Sequence, residues 1–584
     1  MSTLDMHDLK KLAREELQLK FSDTYPKILV VDNALLRPLD KLFGNSFIRE
    51  TARLKRLYTL DSMEDKLFDA QHITFMIRPT CDKVKRIINH VQGLIAKGKN
   101  HIYTLVCVPR RLHVCMTILE EEGLHDVIKL DDFAIDCVPL DTDLVSLEIS
   151  DCFSSLFLDK DKKYLYDVAH SLHTLYCCFG KFVNYYTVGE NALAAYELFD
   201  KLLVCNGDIS HSREDVYHVL LVDRNVDLIS PLLSSQVYPA LAADIFDIKC
   251  SQIELSQQQV VSFDNTDPFY QQKFRDALYP KAQTILKELL ITLKDKKDES
   301  KTLRNVADMK NFVSTELKGA MDMKNSVAKH LKICELIKSK KYDPLQNNIE
   351  FIQTMEQKML LGIDYKETAT FVEEFIVQQS DPSHALRLLS LLNLTQDCIP
   401  RSKMEEYFKY FLQAYGFQYL TWLHNAKKAS FLGDSDQSFQ TRPTFKTFSG
   451  KKCPLVNKAG TAESSNIEDN FAPNYVYGGY YTPLVAHLVD KLILNRPETK
   501  QIYDDYGKML NVPVKFFTKG ESARGGNRKP MYTKTILVYF IGGCTRAELS
   551  ALRTYARPSK NYRLIFATTE MLNSVSLIDS VKCT

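Results

Sequence analysis

An α/β protein carrying a large all-α portion is the fold class the sequence predicts, and three observations predict it. Short apolar runs alternate with helical periodicity over about the first 130 residues. Strands of the same character return near residues 536 and 563, at the far end of the chain. Between them, from about Ser251 to Tyr480, the apolar spacing reads as helical almost throughout.

Lys27-Ile-Leu-Val-Val-Asp32, Ile73-Thr-Phe-Met-Ile77 and Ile102-Tyr-Thr-Leu-Val-Cys-Val108 open the chain. They are continuous apolar runs of strand length, the pattern of strands covered on both faces of a parallel sheet. Residues 1–134 are therefore expected to form a first α/β domain. A second begins near Asp136, where Val138-Pro-Leu-Asp-Thr-Asp-Leu144 leads into helical segments and the strand His218-Val-Leu-Leu-Val222. Isolated strands cannot bury their faces alone, so those at Ile536 and Arg563-Leu-Ile-Phe-Ala567 must return to this second sheet. The expectation is a discontinuous domain of residues 135–250 and 481–584.

The helical portion divides into residues 251–365 and 366–480. Leu278, Ala282, Ile285, Leu289 and Leu293 form one stripe, and Val306, Met309, Val313 and Leu317 another, in steps of three and four. The charged stretch Lys294-Asp-Lys-Lys-Asp-Glu-Ser-Lys301 separates them, which predicts a helical hairpin with a polar tip. The tract 433–470 is rich in Ser, Thr, Lys and Gly, and 519–529 is basic and glycine-bearing; both read as mobile.

A chain of 584 residues with 45% hydrophobic and 25% charged residues exceeds a single core, and about three domains are expected. Its formal net charge of +2 supplies no global field toward nucleic acid or an anionic bilayer, so binding must be local. The amphipathic N-terminus lacks the apolar core of a secretion signal, and no apolar run approaches the roughly 20 residues that span a bilayer. The expectation is a soluble protein that reaches membranes through partners. The 14 cysteines show no Cys-x-x-Cys pair and no zinc spacing, and read as reduced thiols of an intracellular protein.

The run Ile536-Leu-Val-Tyr-Phe-Ile-Gly-Gly-Cys-Thr-Arg-Ala-Glu548 joins a buried strand, a glycine turn and a helix whose Thr545 and Glu548 stand at capping-box spacing. Gly542 and Gly543 could cradle a phosphate, or let the backbone pass close to a neighbour. No Lys-Ser or Lys-Thr follows them, and no suitable Gly-x-Gly-x-x-Gly occurs, so nucleotide binding is the weaker reading. Asp223 and Asp227 flank Arg224 after a strand, where open sheets hold ligands. Capping the next helix and pairing with Arg224 is the expected role of these carboxylates. There is no Gly-x-Ser-x-Gly elbow, and histidines such as His113 and His424 lack a plausible nucleophile. No catalytic residue, metal or cofactor is predicted. Arg110 and Arg111 are basic enough to meet an acidic partner, or are simply a solvated strand end. Tyr407-Phe-Lys-Tyr-Phe-Leu-Gln-Ala-Tyr-Gly-Phe-Gln-Tyr-Leu-Thr-Trp422 holds more aromatics than one helical face can bury, and marks Phe417 and Leu420 as candidate partner contacts.

Eight motifs, in order along nearly the whole chain, carry a family resemblance. They are Val108-Pro-Arg-Arg111, Pro139-Leu-Asp-Thr-Asp-Leu144, Leu221-Val-Asp-Arg-Asn-Val-Asp-Leu228, Met309-Lys-Asn-Phe-Val-Ser-Thr-Glu-Leu-Lys-Gly319, Leu386-Arg-Leu-Leu389, Tyr415-Gly-Phe417, Tyr475-Val-Tyr-Gly478 and Phe540-Ile-Gly-Gly-Cys-Thr545. The chain resembles the SM (Sec/Munc) family of SNARE-assembly proteins, and within it the class C vacuolar protein sorting branch, B-type rather than A-type. Arg546 departs from that branch, which tends to carry Phe there.

The resemblance implies a three-domain arch with two parallel-sheet α/β domains, no catalytic centre, and a groove that templates SNARE helices between the first domain and the helical hairpin. Leu278, Ile285, Leu289, Val306, Met309 and Val313 are then candidate SNARE contacts; plain packing of the hairpin on itself accounts for the same stripes. Tyr415, Phe417 and Leu420 resemble the segment that binds a helical-solenoid partner, VIPAR-like for the B-type or the large subunit of the HOPS and CORVET tethers for the A-type. The implied location is peripheral, on late and recycling endosomes and lysosomes. The rivals are a nucleotide-binding protein using Gly542, Gly543, Asp223 and Asp227, and a scaffold that keeps the solenoid partner but has lost SNARE binding.

Overall fold

The computed structural model describes residues 6–21, 25–63, 69–99, 101–207, 216–246, 248–256, 259–302, 318–341, 349–433, 444–457, 472–495, 501–519, 534–556 and 562–582. The chain forms two compact units. The described residues of the first are 6–148 and 169–180, and those of the second are 149–168, 181–207 and 216–582.

The first unit is built on a parallel sheet. Its strands are β1 (Lys27–Val31), β2 (Leu54–Thr59), β3 (His72–Ile77), β4 (Ile102–Cys107) and β5 (Ile128–Asp132), in the order β2-β1-β3-β4-β5. The apolar runs supply the central strands, whose Ile28, Val30, Phe75, Ile77 and Leu105 are wholly buried. Helix Cys81–Ala96 covers them with Val84, Ile87, Ile88 and Val91, one face in steps of three and four. Asp32 ends β1 and caps the next helix, accepting from Ala34 N at 3.2 Å and from Lys83 Nζ at 2.6 Å. A short antiparallel hairpin, β6 (Val138–Pro139) and β7 (Leu144–Ser146), closes the segment. This unit runs past residue 134 because Asp136 accepts from His170 and Thr174 while Cys137 Sγ reaches Ser171 O, which fastens residues 169–180 to it.

The second unit gathers strands from distant parts of the chain. They are β8 (Phe182–Val188), β9 (Val216–Asp223), β12 (Val514–Thr518), β13 (Lys534–Ile541) and β15 (Tyr562–Thr568), with an antiparallel hairpin, β10 (Gln252–Ser256) and β11 (Gln259–Ser262), set apart. In the main sheet they run β12-β8-β9-β13-β15, all parallel except β12. The expected return of the C-terminal strands is thus seen directly, with Val538 opposite Leu220 on one side and Phe566 on the other. A two-residue ladder of β14 (Cys544–Thr545) and β16 (Met571–Leu572) follows the glycine turn.

Residues 251–262 correct the helical expectation for the middle of the chain. Ile253 and Val261 are buried while Glu254 and Val260 beside them are exposed, a period of two too short to stand out from the surrounding helical pattern. Beyond that hairpin the segment is helical as expected, with helices Tyr279–Thr302, Lys318–Lys341, Ile349–Leu361, Tyr365–Val377, Pro382–Thr395, Arg401–Tyr415 and Leu420–Lys428. Helix Pro382–Thr395, capped by Asp381 and started by Pro382, is buried from Ala385 through Thr395 and forms the axis around which its neighbours pack. Part of the tract read as mobile, 433–470, is ordered: helix Phe445–Ser449 buries Phe445 and Phe448, and Cys453 and Leu455 are buried after it, while residues 434–443, 458–470 and 520–529 lie outside the described residues.

Candidate functional site

The glycine turn is filled by neighbouring atoms. A Cβ on Gly542 would lie 2.8 Å from Phe157 and 2.9 Å from the Cβ of Arg224, and one on Gly543 would lie 2.6 Å from Leu572. Both glycines have φ near +100°, a conformation that other residues rarely adopt. The pair therefore serves close packing, and the space a phosphate would need is occupied. Helix Arg546–Arg553 starts with the expected capping box, Glu548 N donating to Thr545 Oγ1 at 3.2 Å and Thr545 N donating to Glu548 Oε2 at 2.9 Å. Burial pushes the Cys544 thiol up to about 12, which keeps it protonated and unreactive.

Arg224 does not mainly pair with its sequence neighbours. Its Nη1 donates to both oxygens of Glu548, at 2.8 and 2.9 Å, and its Nε to Asp227 O at 3.0 Å. Asp227 accepts from Ile229 N and Ser230 N, at 3.0 and 2.9 Å, and from Leu484 N at 3.2 Å. Asp223 sits against Gly189, whose Cβ position lies 2.3 Å from an Asp223 oxygen, and accepts from Asn191 N at 2.9 Å at the start of helix Glu190–Asn206. The expected pairing with Arg224 is met by Asp227, at 3.9 Å, whereas Asp223 braces the start of the helix before it in sequence and not the next one. Burial pushes the Asp223 carboxyl up to about 7. Among the described residues no cluster of His, Cys, Asp and Glu is arranged to hold a metal.

The hairpin stripe faces inward. Leu289 is 4% exposed and Leu278 8%, and half-buried Ile285 packs on the same core as Ala282 and Leu286. Opposite them lie Val327, Ile333, Cys334 and Ile337 of helix Lys318–Lys341, and Tyr279 Oη donates to Cys334 O at 3.1 Å. These three candidate SNARE contacts are the seam that joins two helices. Val306, Met309 and Val313 lie outside the described residues. Among the described residues of this pair, the exposed large apolar side chains are Leu290, Ile291 and Met321, none of them a candidate from the sequence. The adjacent triplet Leu289-Leu290-Ile291 was the available signal, since three consecutive apolar residues cannot all face one seam.

At the aromatic end, Gly416 with φ 100° breaks helix Arg401–Tyr415 and a single turn, Phe417–Tyr419, leads into helix Leu420–Lys428. Phe417 is 80% exposed and Leu420 53%, while Tyr415 is half-buried against Phe411 and Tyr419. Trp422 is buried, donates to Ile578 O at 2.9 Å and carries Lys582 over its ring at 5.0 Å. The inner aromatics hold the junction, and two apolar side chains remain in water at its tip. His113, His424 and Arg111 are all exposed, and Arg111 pairs with Asp132 at 3.2 Å. Arg546 lies 5.9 Å from the Phe263 ring centre and donates to Ser251 Oγ at 3.3 Å.

This fold, with packed glycine turn, braced aspartates and long helical segment, is that of the SM proteins. It matches the structure titled SM protein Vps45 in complex with the Qa SNARE Tlg2 (1–310) with a TM-score of 0.63 at 14% identity, over 99% of this chain and 98% of that one. The Unc18–syntaxin 1 complex from Monosiga brevicollis gives 0.60 at 15% identity, over 99% of each chain. The chain belongs to the Sec1 family, whose profile matches residues 27–580. It is 29% identical over 615 residues to vacuolar protein sorting-associated protein 33B of Homo sapiens, covering 99% of this chain and 97% of the relative. It is 25% identical over 610 residues to protein 33A of Rattus norvegicus, covering 99% and 98%. No helix among the described residues is long and apolar enough to cross a membrane.

Proposed function

We propose that the chain is a non-enzymatic regulator of vesicle-mediated transport and membrane fusion in the endosome–lysosome pathway, which binds SNARE helices and templates their assembly. Sec1-family membership across residues 27–580 carries this reading, and the fold agrees with that of proteins solved bound to a Qa SNARE and to syntaxin 1. The greater similarity to 33B than to 33A supports the B-type branch and work within a class C vacuolar protein sorting complex.

On the helical pair, the seam residues Leu278, Ile285 and Leu289 fix the two helices together, and the exposed Leu290, Ile291 and Met321 are the apolar side chains left to meet an amphipathic helix. Val306, Met309 and Val313 remain candidate contacts on the basis of the resemblance. Phe417 and Leu420, steadied by Tyr415, are the anchor for a helical-solenoid partner of the VIPAR type, with the HOPS and CORVET large subunit as the A-type counterpart. Membrane location on late and recycling endosomes and lysosomes then follows from partners.

The test is single-molecule or bulk assembly of endosomal SNARE sets with and without the purified protein. Acceleration of four-helix assembly supports the proposal. No binding to any SNARE set, with solenoid binding retained, would favour a scaffold that has lost its SNARE groove.

A further inference from the structure

A cavity of about 460 Å³ opens in the second unit between helix Tyr238–Ile245 and helices Ile349–Leu361, Tyr365–Val377 and Pro382–Thr395. That volume lies within the range of about 300–1,000 Å³ typical of ligand sites. Its lining combines apolar Leu241, Ile352 and Phe375 with charged Asp244, Asp381 and Arg387.

The charges that line the cavity do not balance. Arg387 is 1% exposed and already neutralised, its Nη1 donating to Glu356 Oε1 at 2.6 Å and to Leu232 O. Glu356 is fixed in turn by Ser234, whose N and Oγ each donate to it at 2.9 Å. That leaves Asp244 and Asp381. Asp244 accepts from Ser574 N at 2.8 Å and Asp381 from His384 N at 3.1 Å, and neither forms an ion pair among the described residues. Burial outweighs the nearby Arg387 and pushes the Asp244 carboxyl up to about 6. The buried Nε of Arg387 donates to no described acceptor. The cavity thus offers two carboxylates without a cation beside apolar side chains.

We propose that this cavity receives a lysine or arginine side chain presented by an extended segment of a protein partner. The methylene stem lies along Leu241, Ile352 and Phe375, as long cationic side chains do on apolar surface. The charged head meets Asp244 at the inner end and Asp381 at the exposed rim. This inference does not rest on the SNARE reading.

The experiment uses the full chain and fluorescein-labelled blocked peptides Ser-Gly-X-Gly-Ser, with X as lysine, arginine, norleucine or glutamate, read by anisotropy. Lysine and arginine peptides are expected to bind saturably, and norleucine and glutamate peptides at least about tenfold more weakly. Asp244→Asn is expected to weaken the lysine peptide by about tenfold or more. Because Asp244 also holds Ser574, Gln379→Lys at the exposed rim gives a second variant, which places a competing cation at the mouth and should cause the same loss with an unchanged melting temperature. Equal affinity for norleucine and lysine peptides overturns the proposal. So does lysine-peptide affinity unchanged in both variants, or no saturable binding of either basic peptide below about 1 mM.

Discussion

Arg224 and Glu548 stand 324 residues apart in sequence and form a bidentate, fully buried ion pair at 2.8 and 2.9 Å. Glu548 is simultaneously the capping residue of its own helix, so one carboxylate ties β9, through the turn after it, to the start of helix Arg546–Arg553. Burial pushes the Glu548 carboxyl up; burial would likewise lower Arg224, but Glu548 and Asp227 hold it above its ordinary value. Removing one partner strands the other in a dry interior. Arg224→Met is therefore expected to cost about 3–5 kcal/mol, measured by urea unfolding, and Arg224→Met combined with Glu548→Gln less than the sum of the two single changes.

Asp223 predicts a pH dependence. Its folded pKa of about 7 lies above the ordinary carboxylate value, so the folded state holds this proton more tightly than the unfolded one. The group therefore favours folding at low pH, and that contribution is lost as pH rises from about 4 through about 7. Asp223→Asn keeps the acceptor for Asn191 N and removes the titration. The variant should gain stability relative to the parent between pH 4 and pH 8, by up to about 4 kcal/mol, and a difference that is flat with pH would refute the assignment.

Two glycines should respond differently to the same methyl. At Gly189 the added carbon would overlap the Asp223 carboxylate at 2.3 Å in a backbone with φ 117°, and Gly189→Ala is expected to prevent folding of the second unit or cost more than about 3 kcal/mol. At Gly362, φ is 68° and no atom lies within 4 Å, so Gly362→Ala should cost only about 1–2 kcal/mol. Thermal melts of the two variants make the comparison.

The tip of the aromatic junction separates binding from stability. Phe417→Asp and Leu420→Asp should leave the melting temperature within about 1 °C of the parent while abolishing capture of the solenoid partner. Trp422→Ala, by contrast, empties a packed site and loses a hydrogen bond to Ile578 O, at a cost of about 3–5 kcal/mol. Retained partner capture by both aspartate variants would remove Phe417 and Leu420 from the interface.

The helical pair yields a similar contrast. Leu289→Asp buries a charge in the seam and should unfold the pair, detected by proteolysis between the two helices. Ile291→Asp, at a side chain 61% exposed, should leave folding intact and weaken SNARE binding, measured by pull-down.

The parts of this fold that announce themselves in the sequence are those with a strong local signal. The strands β1, β3, β4, β9, β13 and β15 are uninterrupted apolar runs because parallel strands are covered on both faces. The capping box at Thr545 is readable from spacing alone. Edge strands are harder: β2, Leu-Lys-Arg-Leu-Tyr-Thr, and β5, Ile-Lys-Leu-Asp-Asp, are half-solvated and mix charge with apolar residues. At the candidate surfaces, periodicity located the stripe of Leu278, Ile285 and Leu289 but not the direction it faces, since a seam and a docking face share the same three- and four-residue steps. The partner of Glu548 left no local mark, because a contact made across hundreds of residues is specified by topology.

The composite sheet of the second unit also sets a timetable for biosynthesis. β9 emerges from the ribosome roughly 310 residues before β13, which pairs along it, a delay on the order of half a minute at ordinary elongation rates. During that interval the nascent protein carries an open, strongly apolar strand edge of the kind that recruits chaperones or invites aggregation. Premature stop codons ahead of residue 534 should accordingly be as damaging as early ones, however much helical sequence they spare.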